Sequence, residues 1–164
     1  MVAGSEIAVQ LKKSTDPAMT ASHLGTAMTT AYPAMARRLN SPRARFGIAT
    51  CGKSYLDVMQ ALEDLGIDAR LAADIGLRVY KIGMTWPLER EGVRQFAEGL
   101  EEILVVEEKR AVVENQLKEQ LYNWREDVRP RVIGKFDEKR EWILPSNDEL
   151  TPARIARVIA ARIQ

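Results

Sequence analysis

Cysteine is almost missing from this sequence: Cys51 is the only one in 164 residues. No disulfide can close within the chain, and no all-cysteine cluster site can be built. A reducing cytoplasm is the compartment this composition expects. Histidine is as scarce. His23 stands alone, without the neighbours a metal site needs, and we read it as a solvated residue. Neither sign of charge dominates, since 24 Lys and Arg face 23 Asp and Glu. That removes the usual electrostatic basis for nucleic-acid or membrane-surface partners. No apolar run approaches the roughly 20 residues of a membrane span. The first residues lack the basic segment and apolar core of a secretory leader, so none is expected. Internal repeats and low-complexity tracts are missing too.

What is present suits one soluble domain with a sizeable core: 46% hydrophobic and 29% charged residues. Residues 1–44 read as an N-terminal arm or connecting segment, and 45–164 as an α/β domain. Within the arm, Glu6–Leu11 alternates polar and apolar residues like a half-buried edge strand. Ser14–Thr30 reads as a connecting arm rich in Ala, Thr and Ser, and Pro33 opens a short helix to Leu39.

From Arg45 a regular alternation begins. Phe46–Thr50 is a short apolar strand, followed by a helix over Ser54–Leu65 with Leu56, Met59, Leu62 and Leu65 on one face and Gly66 at its stop. Asp68–Ile75 is a short helix closed by Gly76, Leu77–Ile82 a second strand and Glu89–Glu98 a helix ended by Gly99. Ile103–Val106 is an apolar strand flanked by acids. Ala111–Tyr122 is a helix with Val113, Leu117 and Leu121 inward, and Arg131–Gly134 a last short strand. Phe136–Asp148 reads as a polar loop. Thr151-Pro152 opens a helix with the buried stripe Ile155, Val158, Ile159 and Ile163. Apolar strands alternating with helices predict a parallel sheet covered on both faces: an α/β, three-layer α/β/α sandwich with four to five strands. Trp86-Pro87 and Trp124 read as packing anchors.

Gly47 to Ser54 fits the phosphate-loop pattern G-x-x-x-x-G-K-[ST], and it lies between a strand and a helix. A small nucleotide-binding protein using the Gly47–Ser54 loop is therefore the alternative to weigh, with Glu107-Glu108 after the apolar strand standing where acids would hold a magnesium-bound water. The spacing argues against it. Ile48, Ala49 and Thr50 read as the strand itself, which leaves only Cys51-Gly52-Lys53 for a turn. In the structural reading Gly52 supplies an unusual backbone angle and Ser54 caps the helix. Weaker anion binding at the helix start, including coenzyme A, stays open. Lys53 and the helix start could also lower the pKa of Cys51, against the simpler reading of an idle thiol. Both Gly52-Lys53-Ser54 and Glu107-Glu108-Lys109 follow apolar strands, on the sheet edge where ligands and partners bind. They are the candidate anion or interdomain contacts.

Four stretches together resemble one family: Gly47–Val58, Lys81–Glu89, Glu98–Arg110 and Gln116–Asn123. In order and spacing they are similar to indolepyruvate ferredoxin oxidoreductase, of the 2-oxoacid:ferredoxin oxidoreductase class, over about Arg45 to Gly134. The resemblance implies a domain like the transketolase C-terminal domain, on a five-stranded mixed sheet. It implies a parent that uses thiamine diphosphate, magnesium and iron–sulfur clusters, with coenzyme A as co-substrate. That parent converts an aryl pyruvate to an aryl acetyl-CoA and passes electrons to ferredoxin. This chain has no Gly-Asp-Gly followed by Asn for the thiamine magnesium and no cysteine set for a cluster. No catalytic or cofactor-binding residue carries over. The expectation is a non-catalytic domain whose partners are the remaining domains or subunits of the parent.

Overall fold

The computed structural model describes residues 43–163. The expected strand at Glu6–Leu11, the short helix from Pro33 and the solvated His23 lie outside the described residues. Nine elements follow in order: β1 (Phe46–Cys51), α1 (Ser54–Asp64), α2 (Ala69–Ile75), β2 (Leu77–Ile82), α3 (Arg90–Ala97), β3 (Glu102–Val106), α4 (Val112–Leu121), β4 (Arg131–Ile133) and α5 (Pro152–Arg162). The strands form one sheet in the order β2-β1-β3-β4. Every pairing between them is parallel, with Ile48 level with Val79 on one side and Leu104 on the other. The expected α/β/α sandwich is therefore present. Among the described residues the sheet has four strands and is wholly parallel, not mixed. The antiparallel pairing there is an isolated bridge, Phe136 to Trp142.

The apolar strands explain the two cores. Successive side chains on a strand point to opposite faces. Phe46 and Ile48 of β1, Leu104 and Val106 of β3 and Ile133 pack on Tyr55, Val58 and Leu62 of α1 and Ile155 and Ile159 of α5. Ala49, Ile103 and Val105 face the other way, onto Val93 and Phe96 of α3 and Val113, Leu117 and Leu121 of α4. Each fully buried Leu or Ile contributes about 2 kcal/mol relative to exposure. Caps place the helix starts: Asp68 accepts from the Leu71 N–H at 2.8 Å, and Thr151 from the Arg154 N–H at 3.3 Å.

Three expectations need correction. In α1 the buried stripe is Tyr55, Val58, Ala61 and Leu62, and Leu56 is 63% exposed. Two helical stripes offset by one residue overlap in this segment: Leu62 is in the first core and Met59 and Leu65 pack against it, so Leu56 is the one residue that periodicity placed wrongly. Ser54 does not cap α1. It is the first residue of the helix and is buried, and the capping position, Lys53, makes no side-chain cap bond. Finally, the loop Phe136–Asp148 is not simply polar, because Leu144 is fully buried in the first core, as is Leu150 just after it. At the opposite end of the sheet, Arg162 ties the end of α5 to Glu102 of β3, its Nε 2.7 Å from Oε1, and to Glu138 at 3.1 Å.

Candidate functional site

The C-terminal ends of the four parallel strands share one edge. Because β2 and β3 flank β1, the chain leaves β1 and β3 toward opposite sides, which makes their junction the switch point where α/β sheets hold ligands. The β1–α1 turn and the β3–α4 loop meet there, so the fold brings the two sequence candidates, Gly52-Lys53-Ser54 and Glu107-Glu108-Lys109, to one place. Gly52 has φ +52°, a left-handed conformation that a side chain rarely adopts. The turn delivers Lys53 with its Nζ 2.9 Å from Glu149, 3.0 Å from Asp57 and 3.9 Å from Glu108. Hydrogen bonds to Glu149 and then Asp57 raise the pKa of this amine.

Glu107 is buried, and its carboxylate accepts from the N–H groups of Val112 (3.1 Å), Val113 (2.9 Å) and Glu114 (3.0 Å). The residue at the capping position of α4 is Ala111, which has no side-chain oxygen. Glu107 therefore reaches forward from the strand end and satisfies the orphan donors of the first turn. Burial raises its pKa against the lowering effect of those three donors. Lys135, buried just beyond β4, donates from Nζ to the Glu107 main-chain carbonyl, and burial lowers its pKa. Ser54 and Glu107 thus lie beneath the surface. Lys53, with over half its side chain exposed, and Lys109 stand at the surface, and Glu108 is partly exposed.

This geometry offers the phosphate-loop alternative no support. Gly47 lies inside β1, where a Cβ would sit 2.5 Å from Leu100 Cδ1 and 2.8 Å from Phe96 Cζ. Its role is to let the end of α3 approach the sheet, not to begin a cradle. Lys53 already faces three carboxylates, and a phosphate placed there would meet them as well. Cys51 is not activated: burial, and then the nearby Glu107 carboxylate, push the thiol pKa up. No group of three or more His, Cys, Asp or Glu among the described residues is placed to hold a metal ion.

A second feature at this edge was not legible as a site. A groove of about 1160 Å³ runs along the outer face of α4, between Trp86 and Phe136. Trp86 is 70% exposed, so the expectation that it anchors packing is wrong, whereas Trp124 is half-buried against the second core as expected. Gln116 of α4 fixes the Trp86 loop, accepting from the Leu88 N–H at 2.8 Å and donating to the Thr85 carbonyl at 2.7 Å. Phe136 stacks on Trp142 at 5.8 Å between ring centres, and both are about half exposed. The sequence signal was two aromatic residues inside an otherwise polar loop.

The family model of the indolepyruvate ferredoxin oxidoreductase middle domain matches residues 36–164. The chain is 32% identical over 117 residues to the indolepyruvate oxidoreductase subunit IorA of Pyrococcus abyssi, covering 71% of this chain and 16% of that protein. It is 29% identical over 118 residues to the subunit of the same name from Methanothermobacter thermautotrophicus, covering 72% and 18%. The chain therefore spans less than a fifth of these relatives. Among solved structures, an inactive β4 tetramer of a split-gene transketolase aligns at a TM-score of 0.49 and 14% identity, over 75% of this chain and 39% of that one. A 2-oxoglutarate:ferredoxin oxidoreductase from Magnetococcus marinus, with 2-oxoglutarate, coenzyme A and succinyl-CoA bound, aligns at 0.45 and 21% identity, over 74% and 18%. With the family model matching most of its length, this chain belongs to the indolepyruvate ferredoxin oxidoreductase middle-domain family.

Proposed function

We propose that this chain is a contact domain of a larger oxidoreductase: it packs against other domains or subunits and leaves the chemistry to them. One observation carries the reading. At the switch point, where an α/β enzyme would hold its ligand, carboxylates of this chain already pair with Lys53, and Glu107 is taken up by the first turn of α4. Glu149, Asp57 and Glu108 surround Lys53, and α4 occupies Glu107. The surface left for a partner is Lys53, Glu108 and Lys109, shaped by Gly52 and held from beneath by Ser54 and Glu107.

In this reading the parent converts an aryl pyruvate to an aryl acetyl-CoA in the cytoplasm, with thiamine diphosphate, magnesium and iron–sulfur clusters, and with ferredoxin as electron acceptor. The described residues do not fit those groups. Cys51 is single, Glu107 caps a helix, and Asp57 and Glu149 pair with Lys53.

The test is turnover of the assembled oxidoreductase carrying Cys51→Ala, Lys53→Ala or Lys109→Ala, with an aryl pyruvate and a viologen acceptor. The expected result is a kcat per assembled enzyme within about twofold of the parent, with any loss confined to the amount assembled. A fall of about 100-fold in kcat with assembly intact is the size expected for loss of a catalytic acid or base, and would contradict the reading.

A further inference from the structure

The switch-point cluster is compact and largely self-paired, so it leaves little surface for a stable contact. The α4 groove differs in both respects. It is broad, its walls are exposed aromatic rings, and Val112 on its floor is 40% exposed. Aromatic side chains together with Arg are the residues that interface cores favour over ordinary surface. Three exposed cationic side chains line it, Lys109, Arg110 and Lys118, with the buried Lys135 beneath them turned to the Glu107 carbonyl, against two acids, Glu114 and Glu119. Glu114 is buried and already pairs with Lys118. Among the described residues, no ion pair involves Lys109 or Arg110. Lys109 is also held at φ +27°, a left-handed conformation at a residue with a side chain, of the strained kind that gathers at functional sites. On a chain with net charge +1, this is a local excess of positive charge beside apolar walls.

We propose that the α4 groove is the docking surface of the domain, and that its occupant is an acidic segment of another domain or subunit of the same oxidoreductase. That segment would insert an apolar side chain between Trp86 and Phe136 and set its carboxylates against Lys109 and Arg110. This deepens the contact-domain reading and rests on it. Charge complementarity selects the occupant. Residues 1–42 of this chain hold Lys12, Lys13, Arg37 and Arg38 against Glu6 and Asp16, so they are basic and do not match the rim. A second copy placed groove to groove would bring like charges together.

The experiment co-expresses this chain with the remaining polypeptide of its oxidoreductase and measures their affinity. Two variants are compared with the parent sequence: Trp86→Ser with Phe136→Ser, and Lys109→Glu with Arg110→Glu. All four side chains are exposed, and unchanged thermal melting confirms that each variant folds. Carbodiimide cross-linking of the assembled enzyme then couples touching amine and carboxylate groups. Either variant is expected to weaken association about thirtyfold. Lys109→Arg with Arg110→Lys should restore binding to within about threefold, and Lys109 should cross-link to an Asp or Glu outside this chain. Parent-like affinity in both variants, with Lys109 cross-linked only inside the chain, overturns the groove while leaving the contact-domain reading in place. If the unmodified chain does not associate at all, that reading fails and the groove proposal fails with it.

Discussion

Lys135 donates from its ammonium to the main-chain carbonyl of Glu107, while the Glu107 carboxylate accepts three N–H bonds from the first turn of α4. One residue at the end of β3 thereby joins β4 to the helix that floors the groove. Glu107→Ala leaves the Val113 and Glu114 N–H groups without that acceptor, while the Val112 N–H keeps the Arg110 carbonyl at 3.0 Å, and is expected to cost about 2 kcal/mol, measured by urea unfolding. Glu107→Gln keeps one acceptor oxygen and should cost about half as much.

The same carboxyl gives a pH dependence. Burial raises its folded pKa above 4.5. Its contribution to stability is therefore fullest below that value and is lost as pH rises through the raised value. Unfolding free energy measured against pH should show this fall in the parent chain, and Glu107→Gln should flatten it. An unchanged profile in the variant would assign the dependence to other groups.

Gly47 separates the two meanings of the phosphate-loop pattern. A methyl group there would strike Leu100 and Phe96, so Gly47→Ala should lower stability by about 2 kcal/mol through overpacking. Were Gly47 instead the start of an open cradle, the substitution would leave the melting temperature in place.

Calorimetric titration with Mg·ATP should give no heat beyond dilution, and Lys53→Ala should not change that. Lys53 is an exposed residue whose charge is already met by Glu149 and Asp57, so the same variant should melt close to the parent temperature. Micromolar binding that vanishes in Lys53→Ala would restore the nucleotide reading.

Cys51 should be a slow nucleophile. Burial and Glu107 raise its pKa above the free-thiol value of 9.0, and the thiolate is the reacting form. Alkylation of the native chain by iodoacetamide should be slow at neutral pH and still be accelerating above pH 9. A rate that plateaus below that pH would mean an activated thiol.

The sheet was readable because its strands are apolar runs bounded by Gly and charged residues. Ile103 to Val106 can be little else than a central strand. The helix stripe Val113, Leu117 and Leu121 was readable for the same reason, since one face holds all of its large apolar residues. In α1, apolar residues at positions 55, 56, 58, 59 and 62 allow two faces, and only the sheet decides that Tyr55 goes in and Leu56 stays out. The site followed the same division. That Gly52-Lys53 and Glu107-Glu108 share an edge follows from parallel topology and was legible. That Glu107 reaches five residues ahead to cap α4, or that Leu144 folds back under a loop, depends on contacts no local pattern carries. Trp86 misled because a tryptophan beside a proline suggests packing. Its exposure comes from the way Gln116 holds that loop across 31 residues.

The most direct measurement is native mass spectrometry, with turnover, of the oxidoreductase lacking this domain, before and after the chain is added back. The expected result is that the chain alone turns over no aryl pyruvate, binds the remainder, and restores the assembled mass and its activity together. A remainder with full mass and full turnover in the absence of the chain, and no binding when the chain is supplied, would contradict it.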